Sequence, residues 1–538
     1  MWSVALRVEV GAGGPIILYV ECGSAGGGKM RRHYPKFQGR GHRRSQNCCH
    51  RSRDCRRLNN ERWLNNERSA AVSSCSAFAN VSTSAGTSSV SSTSSSAPDL
   101  PGFYYDPEKN RYFRLLPGHN NCNPLTTEGI LKRVMEVKRL KHLEEDKNRK
   151  KSSRLGCNAS LLLRKQQIGL LPSTTYCRRM HELKVSCMQK KDVSIVNPEP
   201  LAEDTHTCEF IVIDSSGQRL FSVNDLDNGY CKYGLLELNG LWKDIPTVEN
   251  HETLFFSNQK VTTACWASMN VPDSHVLICF LGKPSAPGRV SLIPASRFGK
   301  FEDDISPEVV YNFQFSSAWT SAWCSNPQME CTFAAGLQNQ VVVLNINTDI
   351  QCNFRTNSAV LAQQFASQTP LLYNGCRSGE VFSIDLRVPH KNWKKGISFS
   401  QNSSIACLRL LNDENYMVVS DMSGQIKLWD LRMVKPVRSY EGHVNSYACL
   451  PVHVKEDEGL LLAVDAFPFA VGQDCYTRIW NFQDARLLRS IPSPYTASKE
   501  FIPNVAFSAY HGGKRPVPGL LMAVKTELYH FTYDSRDF

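Results

Sequence analysis

The chain has 538 residues, 41% of them hydrophobic, and 62 Lys and Arg against 50 Asp and Glu give a formal net charge of +12. No run of about 20 apolar residues occurs, which excludes a membrane-spanning helix, and the 20 cysteines, many of them single residues within apolar runs, are typical of buried reduced thiols. Residues 1–191 carry 34 basic and 14 acidic groups, whereas residues 192–538 carry 28 and 36. A basic arm on a mildly acidic body favours an interacting or nuclear-targeted tail, or a merely solvated one, and no nucleic-acid groove is expected in the globular part.

Residues 1–99 are predicted to form a disordered tail that is first basic and then Ser-rich. Basic residues are concentrated between Lys29 and Arg57, and a Ser/Thr/Ala tract continues to Ser96. Such low hydrophobicity does not compensate the entropy lost when the chain is ordered. The basic run fits a nuclear import signal or a nucleic-acid tether, and equally a linker with neither role. We expect a nuclear protein, with the cytoplasm as a further location.

No cofactor or metal site is predicted. The cluster of Cys48, Cys49, His50 and Cys55 has no second spaced pair of ligands and lies among polar and basic residues, unlike a structural zinc site. The chain also lacks a glycine-rich phosphate loop in a strand-turn-helix context, a Gly-x-Ser-x-Gly elbow and a His-Glu-x-x-His motif. We therefore expect a binding protein rather than an enzyme.

Residues 100–191 are predicted to combine an aromatic motif with a helical extension. Five aromatic residues fall within residues 101–113 and are expected to dock on another surface. Helices are predicted over Thr127–Lys151, Ala159–Ile168 and Thr174–Met188. In the first, one apolar face is formed by Ile130, Val134, Val137 and Leu140. An isolated helix of this length is marginal in water, so it should pack on a partner protein, which we favour, or brace the rest of the chain.

Residues 205–538 are predicted to form a seven-bladed WD-repeat β-propeller, so the fold class is all-β with a short helical N-terminal extension. At Met417–Arg432, two apolar strands flank a Ser-Asp-Met-Ser-Gly turn and the second ends in Trp-Asp-Leu-Arg, which indicates a hairpin. The shape recurs 45 residues upstream at Leu372–Arg387 and again at Val471–Asn481. A period of about 40–45 residues with a terminal Trp-Asp is the signature of a propeller blade. Strand patterns from Phe210 onwards bring the number of units to seven.

The sixth unit contains a polar set to which we assign a structural role. His443, Asp474 and Trp480 stand where they can hydrogen-bond in series beneath a blade surface. We expect this set to stabilise the blade and His443 to take no part in catalysis. A seven-residue insertion, residues 465–471, ends in a repeat of Ala463-Val464, and it is expected to bulge or form a loop.

An arginine stands two residues after the aspartate in two of the units. The two stretches are Ile384-Asp385-Leu386-Arg387 and Trp429-Asp430-Leu431-Arg432. Arginines at equivalent places in adjacent blades would bring two planar, bidentate donors side by side on the rim, suited to an acidic or carbonyl-rich partner surface. The alternative is that both side chains are merely solvated.

These stretches, each with its upstream apolar segment and small turn, resemble the WD-repeat box of substrate receptors of cullin-4 RING ubiquitin ligases. The similarity runs from residue 100 to the end and is closest to the family of the fourth cullin-4-associated factor at Pro101–Pro124, Leu361–Phe365 and Gly472–Trp480. It implies a non-catalytic receptor that docks on the damaged-DNA-binding adaptor protein of the cullin-4 ligase scaffold. The receptor would present a protein target, which the sequence does not identify, for ubiquitination.

The resemblance also implies which residues bind the adaptor, namely Trp429, Asp430, Arg432, Asp385 and Arg387. Arg432 has the stronger case because Ile384 replaces the tryptophan in the other copy. The third copy has Asn481 and Gln483 in place of the aspartate and arginine, so no docking is expected there. Family receptors also use an N-terminal helical segment against the adaptor, and Thr127–Lys151 is the candidate.

A second hypothesis is that the protein is a nuclear scaffold or nucleic-acid-associated propeller that uses its basic arm. The two hypotheses predict that different changes abolish binding. A receptor should lose the adaptor on Arg432→Ala, whereas a nucleic-acid-associated protein should lose salt-sensitive RNA or DNA binding when residues 29–57 are deleted.

Overall fold

The computed structural model describes Ala5–Glu9, Ile17–Glu21, Phe103–Asp106, Arg111–Arg114, Thr127–Ser152 and residues 159–532 except 197–206, 227–229, 244, 251–254, 299–309, 390, 392, 394, 467–474, 496–501 and 510–517. The chain divides into two compact units, Met1–Ser24 with Tyr112–Phe538, and Ala25–Arg111. Most of the predicted disordered tail thus lies outside the described residues. Within the described part, no helix is long and apolar enough to cross a membrane.

Within the residues that the structure describes, the elements before the propeller are four short strands and three helices. They are β1 (Ala5–Glu9), β2 (Ile17–Glu21), β3 (Phe103–Asp106), β4 (Arg111–Arg114), α1 (Thr127–Ser152), α2 (Ala159–Gln167) and α3 (Ser173–Cys187). The helices begin and end almost at their predicted residues. The aromatic motif contains two short strands, β3 and β4.

The propeller strands follow in chain order, beginning with β5 (Gln189–Val196). The first sheet contains β6 (Thr207–Ile213), β7 (Arg219–Asp225), β8 (Cys231–Glu237), β9 (Thr247–Asn250) and β10 (Phe255–Ser257). The second contains β11 (Val261–Ala267), β12 (His275–Phe280), β13 (Gly288–Pro294) and β14 (Val310–Phe315), and the third β15 (Ala318–Trp323), β16 (Thr332–Leu337), β17 (Gln340–Asn345) and β18 (Ile350–Arg355). Short 3-10 helices occupy Ala295–Phe298 and Pro327–Met329.

The remaining four sheets have the same antiparallel order. The fourth contains β19 (Val360–Phe365), β20 (Leu371–Cys376), β21 (Glu380–Asp385) and β22 (Ser398–Ser400). The fifth contains β23 (Ile405–Leu410), β24 (Tyr416–Asp421), β25 (Ile426–Asp430) and β26 (Lys435–Tyr440). The sixth contains β27 (Val452–Lys455), β28 (Leu460–Val464), β29 (Tyr476–Asn481) and β30 (Leu487–Pro492), and the seventh begins with β31 (Asn504–Ala509), β32 (Pro518–Val524) and β33 (Glu527–Thr532).

In the described part of the chain these seven sheets form a closed ring, which confirms the predicted number of blades. Their first strands contact one another in turn from β6 through β11, β15, β19, β23 and β27 to β31, and β31 contacts β6. The seventh sheet receives its fourth strand from the other end of the propeller, because β5 pairs antiparallel with β33. The propeller therefore begins at Gln189, upstream of the predicted boundary at 205. The strand was not predicted because the first half of Gln189–Val196 consists of polar residues only.

The core lies between neighbouring sheets and explains why the second strands are rich in apolar residues. Every residue of Thr332–Leu337 is buried, because both faces of the strand meet another sheet. Between the second and third sheets, Leu277 and Leu292 pack with Phe333 and Leu344. At about 25 cal/mol per Å² of apolar surface removed from water, such contacts supply most of the stabilising free energy.

The second sheet is wider than a standard blade because β1 and β2 extend it. β1 and β2 are antiparallel, and β2 pairs in parallel with β14 at the outer edge. Disorder was expected for all of residues 1–99, so these two strands correct that prediction. Ala5–Glu9 and Ile17–Glu21 are short apolar and β-branched runs in a Gly-rich stretch, and an unpaired edge strand accepts such segments readily.

Candidate functional site

The two arginine stretches occupy equivalent corners of neighbouring blades. β21 of the fourth sheet ends at Asp385 and β25 of the fifth ends at Asp430, and each arginine follows two residues later in the turn to the outermost strand. The first strands of these sheets, β19 and β23, contact each other. The fold therefore brings Arg387 and Arg432 to the same end of adjacent sheets.

Arg432 is exposed but held in one orientation. Its side chain is 59% exposed and pairs with Asp430, with 3.0 Å from Nη2 to Oδ2 and 3.3 Å from Nε to Oδ1. Nη2 also donates to Tyr416 Oη at 3.1 Å, and the guanidinium lies 5.5 Å from the Tyr416 ring centroid. Asp430 closes the turn as well, since Oδ1 accepts from the backbone nitrogens of Arg432 and Met433.

Arg387 repeats this arrangement with an even more exposed side chain, at 69%. Its Nε and Nη2 form a fork on Asp385, at 2.9 Å to Oδ1 and 2.7 Å to Oδ2, and its backbone nitrogen donates to Oδ1. Each carboxylate thus binds its own arginine through the Nε edge. The Nη1 groups of Arg387 and Arg432 have no hydrogen-bond partner among the described residues.

These pairings keep both corners charged over the physiological pH range. Hydrogen bonds from Arg432 hold the pKa of Asp430 below its usual value, and those from Arg387 do the same for the pKa of Asp385. A fixed guanidinium loses less rotamer entropy when it binds a partner. Exposed ion pairs contribute little to folding stability, so these are better suited to orientation than to stabilisation.

Trp429 and Ile384 anchor the two corners from inside. Trp429 is buried and stacks on Phe399 of the fourth sheet at 4.1 Å between ring centroids. With the Gln401 amide oriented to suit its partners, its oxygen accepts from Trp429 Nε1 at 3.1 Å and its nitrogen donates to Asp421 Oδ2 at 3.0 Å. Ile384 is completely buried. Neither side chain is therefore available to bind a partner directly, whereas the arginines are.

The rim beside the arginines carries exposed apolar side chains. Met433 is 63% exposed, and Val388, Val434 and Val437 are also exposed. Charged groups surrounded by apolar surface are characteristic of interface hot spots, because the apolar rim excludes water from the charged contact. The sequence motif did not predict a role for Tyr416. Its place beside Arg432 follows from strand register, because Tyr416 lies opposite Asp430 across β24 and β25.

The corner at Asn481 and Gln483 is occupied by the chain's own helix α3. The Asn481 side chain binds Glu182, and Gln483 accepts from Arg178 Nη1 at 3.2 Å. Below this contact, Val185 of α3 is completely buried in the core between the sixth and seventh sheets. In this third copy, Asn481 and Gln483 replace the aspartate and the arginine, and the chain's own helix α3 binds there.

The polar network of the sixth blade differs from its prediction. His443 Nδ1 pairs with Asp465 Oδ1 at 2.9 Å, and Arg478 Nε binds Asp465 Oδ2 at 2.7 Å. Trp480 Nε1 donates to the Glu441 carbonyl at 3.0 Å, so it does not continue the series from His443. Asp474 lies outside the described residues. Asp465 follows β28 directly and takes the place beside His443.

Helix α1 packs on the sixth blade through its polar face. Arg139 is buried, and its Nη1 donates to the carbonyls of Ser493 and Pro494 at 2.9 and 3.0 Å. Asp146 binds Arg489, whose side chain is only 1% exposed, at 2.8 Å. His142 Nδ1 lies 3.0 Å from Tyr476 Oη. The helix is therefore an internal brace, but not through the face that was predicted to pack.

The predicted apolar face of α1 points to solvent. Val134, Val137 and Leu140 are all more than half exposed. An apolar stripe on a helix fixed by its other side is typical of a surface that binds a partner. The polar face of α1 therefore braces the sixth blade, and its apolar face is the one that could bind a partner protein. In the part of the chain that the structure describes, no three His, Cys, Asp or Glu residues are grouped to hold a metal ion.

Comparison with known proteins identifies the family. A family model described as the DDB1- and CUL4-associated factor 4 beta-propeller domain matches residues 176–533. DDB1- and CUL4-associated factor 4 of Homo sapiens is 52% identical over 442 residues, which cover 82% of this chain and 88% of the relative, and that of Bos taurus is 51% identical over 443 residues with the same coverage. DDB1- and CUL4-associated factor 4-like protein 2 of Homo sapiens is 47% identical over 402 residues, covering 74% of this chain and 100% of the relative. The chain belongs to the DDB1- and CUL4-associated factor 4 family of WD-repeat β-propellers.

Proposed function

We propose that this protein is a substrate receptor of a cullin-4 RING ubiquitin ligase and that it docks on the damaged-DNA-binding adaptor through Arg387 and Arg432. The observation that carries the proposal is the pair of exposed guanidiniums on neighbouring blades, each oriented by its own aspartate. The names of the relatives support the choice of partner, since they describe factors associated with DDB1 and CUL4. The protein is a binding subunit, and the chemistry of ubiquitin transfer belongs to the ligase.

The mechanism of docking follows from the way in which each arginine is held by its aspartate. The Nη1 side of each guanidinium meets carbonyl or carboxylate groups of the adaptor, while the aspartate keeps the Nε side in place. The exposed side chains of Met433, Val388 and Val437 bury apolar surface around the charged contacts. Complementary charge accelerates encounter and fixes the register of the complex, while the apolar contacts slow dissociation.

We assign a second adaptor contact to the exposed apolar stripe of α1, formed by Val134, Val137 and Leu140. A helix laid into an apolar groove contributes anchors at this spacing. Two separate contacts on one rigid chain raise the overall affinity above that of either alone. The target protein would be held by other loops of the propeller, and a nuclear location is proposed from the basic run between Lys29 and Arg57.

Retention of the adaptor and cullin-4 by the immobilised chain tests the proposal. Arg432→Ala should reduce retention strongly, and Arg387→Ala should reduce it as well, because each removes a charged contact at the interface. Arg355→Ala is the matched control, since this exposed arginine lies at the opposite end of its sheet, where Arg355 pairs with Gln340. Equal retention by all three variants would contradict docking through the arginine corners.

A further inference from the structure

The two arginine corners are joined by a short chain of hydrogen bonds across the boundary between blades. In the fourth sheet, the Leu386 nitrogen beside Arg387 donates to the Pro370 carbonyl at 3.0 Å. In the fifth, the Leu431 nitrogen beside Arg432 donates to the Asn415 carbonyl at 2.8 Å. Pro370 and Asn415 belong to the turns between the first and second strands, which lie at the same end of the sheets as the corners. The Glu414 side chain connects these turns, and the Gln368 side chain adds one bond, from Nε2 to the Asn412 carbonyl at 3.1 Å.

Glu414 binds the neighbouring turn with both carboxylate oxygens. Oε1 accepts from the Gln368 nitrogen at 2.6 Å and from Ser367 Oγ at 3.2 Å. Oε2 accepts from Thr369 Oγ1 at 2.6 Å and from the Thr369 nitrogen at 3.2 Å. Burial acts to raise the pKa of this carboxyl, but the hydrogen bonds from Thr369, Gln368 and Ser367 outweigh it and lower the pKa below its usual value. Glu414 therefore stays ionised at neutral pH.

The backbone of Glu414 is strained to make this contact. Its φ is +54°, in the left-handed region that costs a non-glycine residue about 1–2 kcal/mol. Such strain persists only where surrounding contacts hold it. Asp273 has the same feature at the equivalent turn of the second sheet, with φ of +51°, and its Oδ2 accepts from the Ser215 nitrogen of the first sheet at 2.7 Å. The carboxylate clamp is thus a repeated device, and one copy lies beside the arginine pair.

We propose that Glu414 is a positioning residue for adaptor docking, which sets the separation and relative orientation of Arg387 and Arg432. The inference rests on the proposed function. From Arg387 to Arg432 the connection runs through Leu386, Pro370, Thr369, Glu414, Asn415 and Leu431, and each step is a covalent neighbour or a hydrogen bond given above. Without the Glu414 carboxylate, only the bond from Gln368 Nε2 to the Asn412 carbonyl joins the two turns, and the guanidiniums no longer match two fixed sites on a rigid partner.

The test compares Glu414→Gln with Asp273→Asn in the full chain. In Glu414→Gln the amide nitrogen faces a backbone donor, and in Asp273→Asn the Ser215 contacts lose their charged acceptor, so both variants should lower the unfolding temperature. Only Glu414→Gln should weaken the affinity for purified adaptor, by about tenfold. Equal affinity of the two variants, with Arg432→Ala still impaired, would overturn the positioning role while leaving the proposed function intact. Full affinity of Arg432→Ala would overturn both.

A double-mutant cycle separates positioning from a general structural effect. If Glu414 acts by fixing the arginine pair, its effect on affinity should disappear in the Arg387→Ala background, where only one guanidinium remains to be placed. Strongly non-additive losses are therefore expected for Glu414→Gln combined with Arg387→Ala. Additive losses would show that Glu414 affects the interface in another way and would overturn the inference.

Discussion

At the scale of single residues, the site depends on arginines that are bound and exposed at once. Arg432 and Arg387 each use the Nε edge internally, against Asp430 and Asp385, and leave Nη1 toward solvent. A free arginine would lose more rotamer freedom on binding than one already held in a fork. The Asp-x-Arg spacing therefore serves to orient the arginine side chain, because the same carboxylate closes the turn and binds the guanidinium.

The turn that carries Arg432 contains a residue that is poorly suited to its conformation. Val434 has φ of +52°, and a β-branched side chain tolerates the left-handed region least. Val434→Asn should raise the free energy of unfolding by about 0.5–1 kcal/mol, because asparagine adopts this region at lower cost. Chemical denaturation measures the change. Met433→Asn, in the same turn but outside the left-handed region, should give no gain, and an equal gain from both would contradict the strain explanation.

At the scale of elements, α1 shows that charge can decide which face of a helix packs inward. Arg139 and Asp146 find partners on the sixth blade, in the carbonyls of Ser493 and Pro494 and in the Arg489 guanidinium. Breaking a buried pair by removing one partner is costly, although forming it adds little net stability. These contacts therefore specify where the helix lies, and they leave the stripe of Val134, Val137 and Leu140 available to a partner.

The turn between β27 and β28 contains a buried carboxyl whose ionisation opposes folding. Glu458 is 6% exposed, and Oε2 has no hydrogen-bond partner among the described residues. Burial raises its pKa to about 7, against the attraction of Lys455 and Lys184. The folded state thus holds a proton that the unfolded state releases. Stability is fully present below the ordinary glutamate pKa, and it is lost as the pH rises towards 7.

Glu458→Gln should therefore stabilise the protein at pH 8 and have little effect near pH 4.5. With 1.36 kcal/mol per pKa unit, the gain at pH 8 should be about 1–3 kcal/mol. Thermal unfolding across this pH range measures it. Asp457→Asn removes an exposed charge that contributes least to the raised Glu458 pKa, so it should give a much smaller pH dependence. A Glu458→Gln variant that is equally stabilised at both pH values would show that ionisation is not the cause.

At the scale of the whole molecule, the ring is closed by a strand from before the first blade. β5 completes the seventh sheet against β33 and pairs in parallel with β9 of the first sheet. Closure in this way joins both ends of the propeller and covers edge strands that would otherwise invite aggregation. Helix α3 reinforces the junction, because Val185 and Met188 are buried with Leu520 and Phe531.

A fragment of residues 205–538 should therefore be much less stable than one of residues 172–538, which retains α3 and β5. The shorter fragment leaves β33 as an exposed edge and removes Val185 and Met188 from the core. It should aggregate on size-exclusion chromatography and unfold at a lower temperature by circular dichroism. Unfolding of both fragments at the same temperature would show that the closing strand is dispensable.

Local pattern predicted most of the fold, and contacts between distant segments account for what it missed. The blade hairpins and the three helices depend on hydrophobic period and turn residues, which are visible in the chain. The closing strand β5 is half polar because one face is solvated, and its pairing is with the end of the chain. The pairing of His443 with Asp465 and the roles of Tyr416 and Glu414 depend on register and on contacts between distant segments. No spacing rule reveals these.

The equilibrium affinity of the full chain for the purified damaged-DNA-binding adaptor tests docking most directly, measured before and after Arg387 and Arg432 are both replaced by alanine. Loss of two exposed, oriented guanidiniums at the centre of an interface should weaken binding about a hundredfold or more. The unfolding temperature should hardly change, because exposed ion pairs contribute little to stability. An unchanged affinity in the folded double variant would contradict docking through these corners.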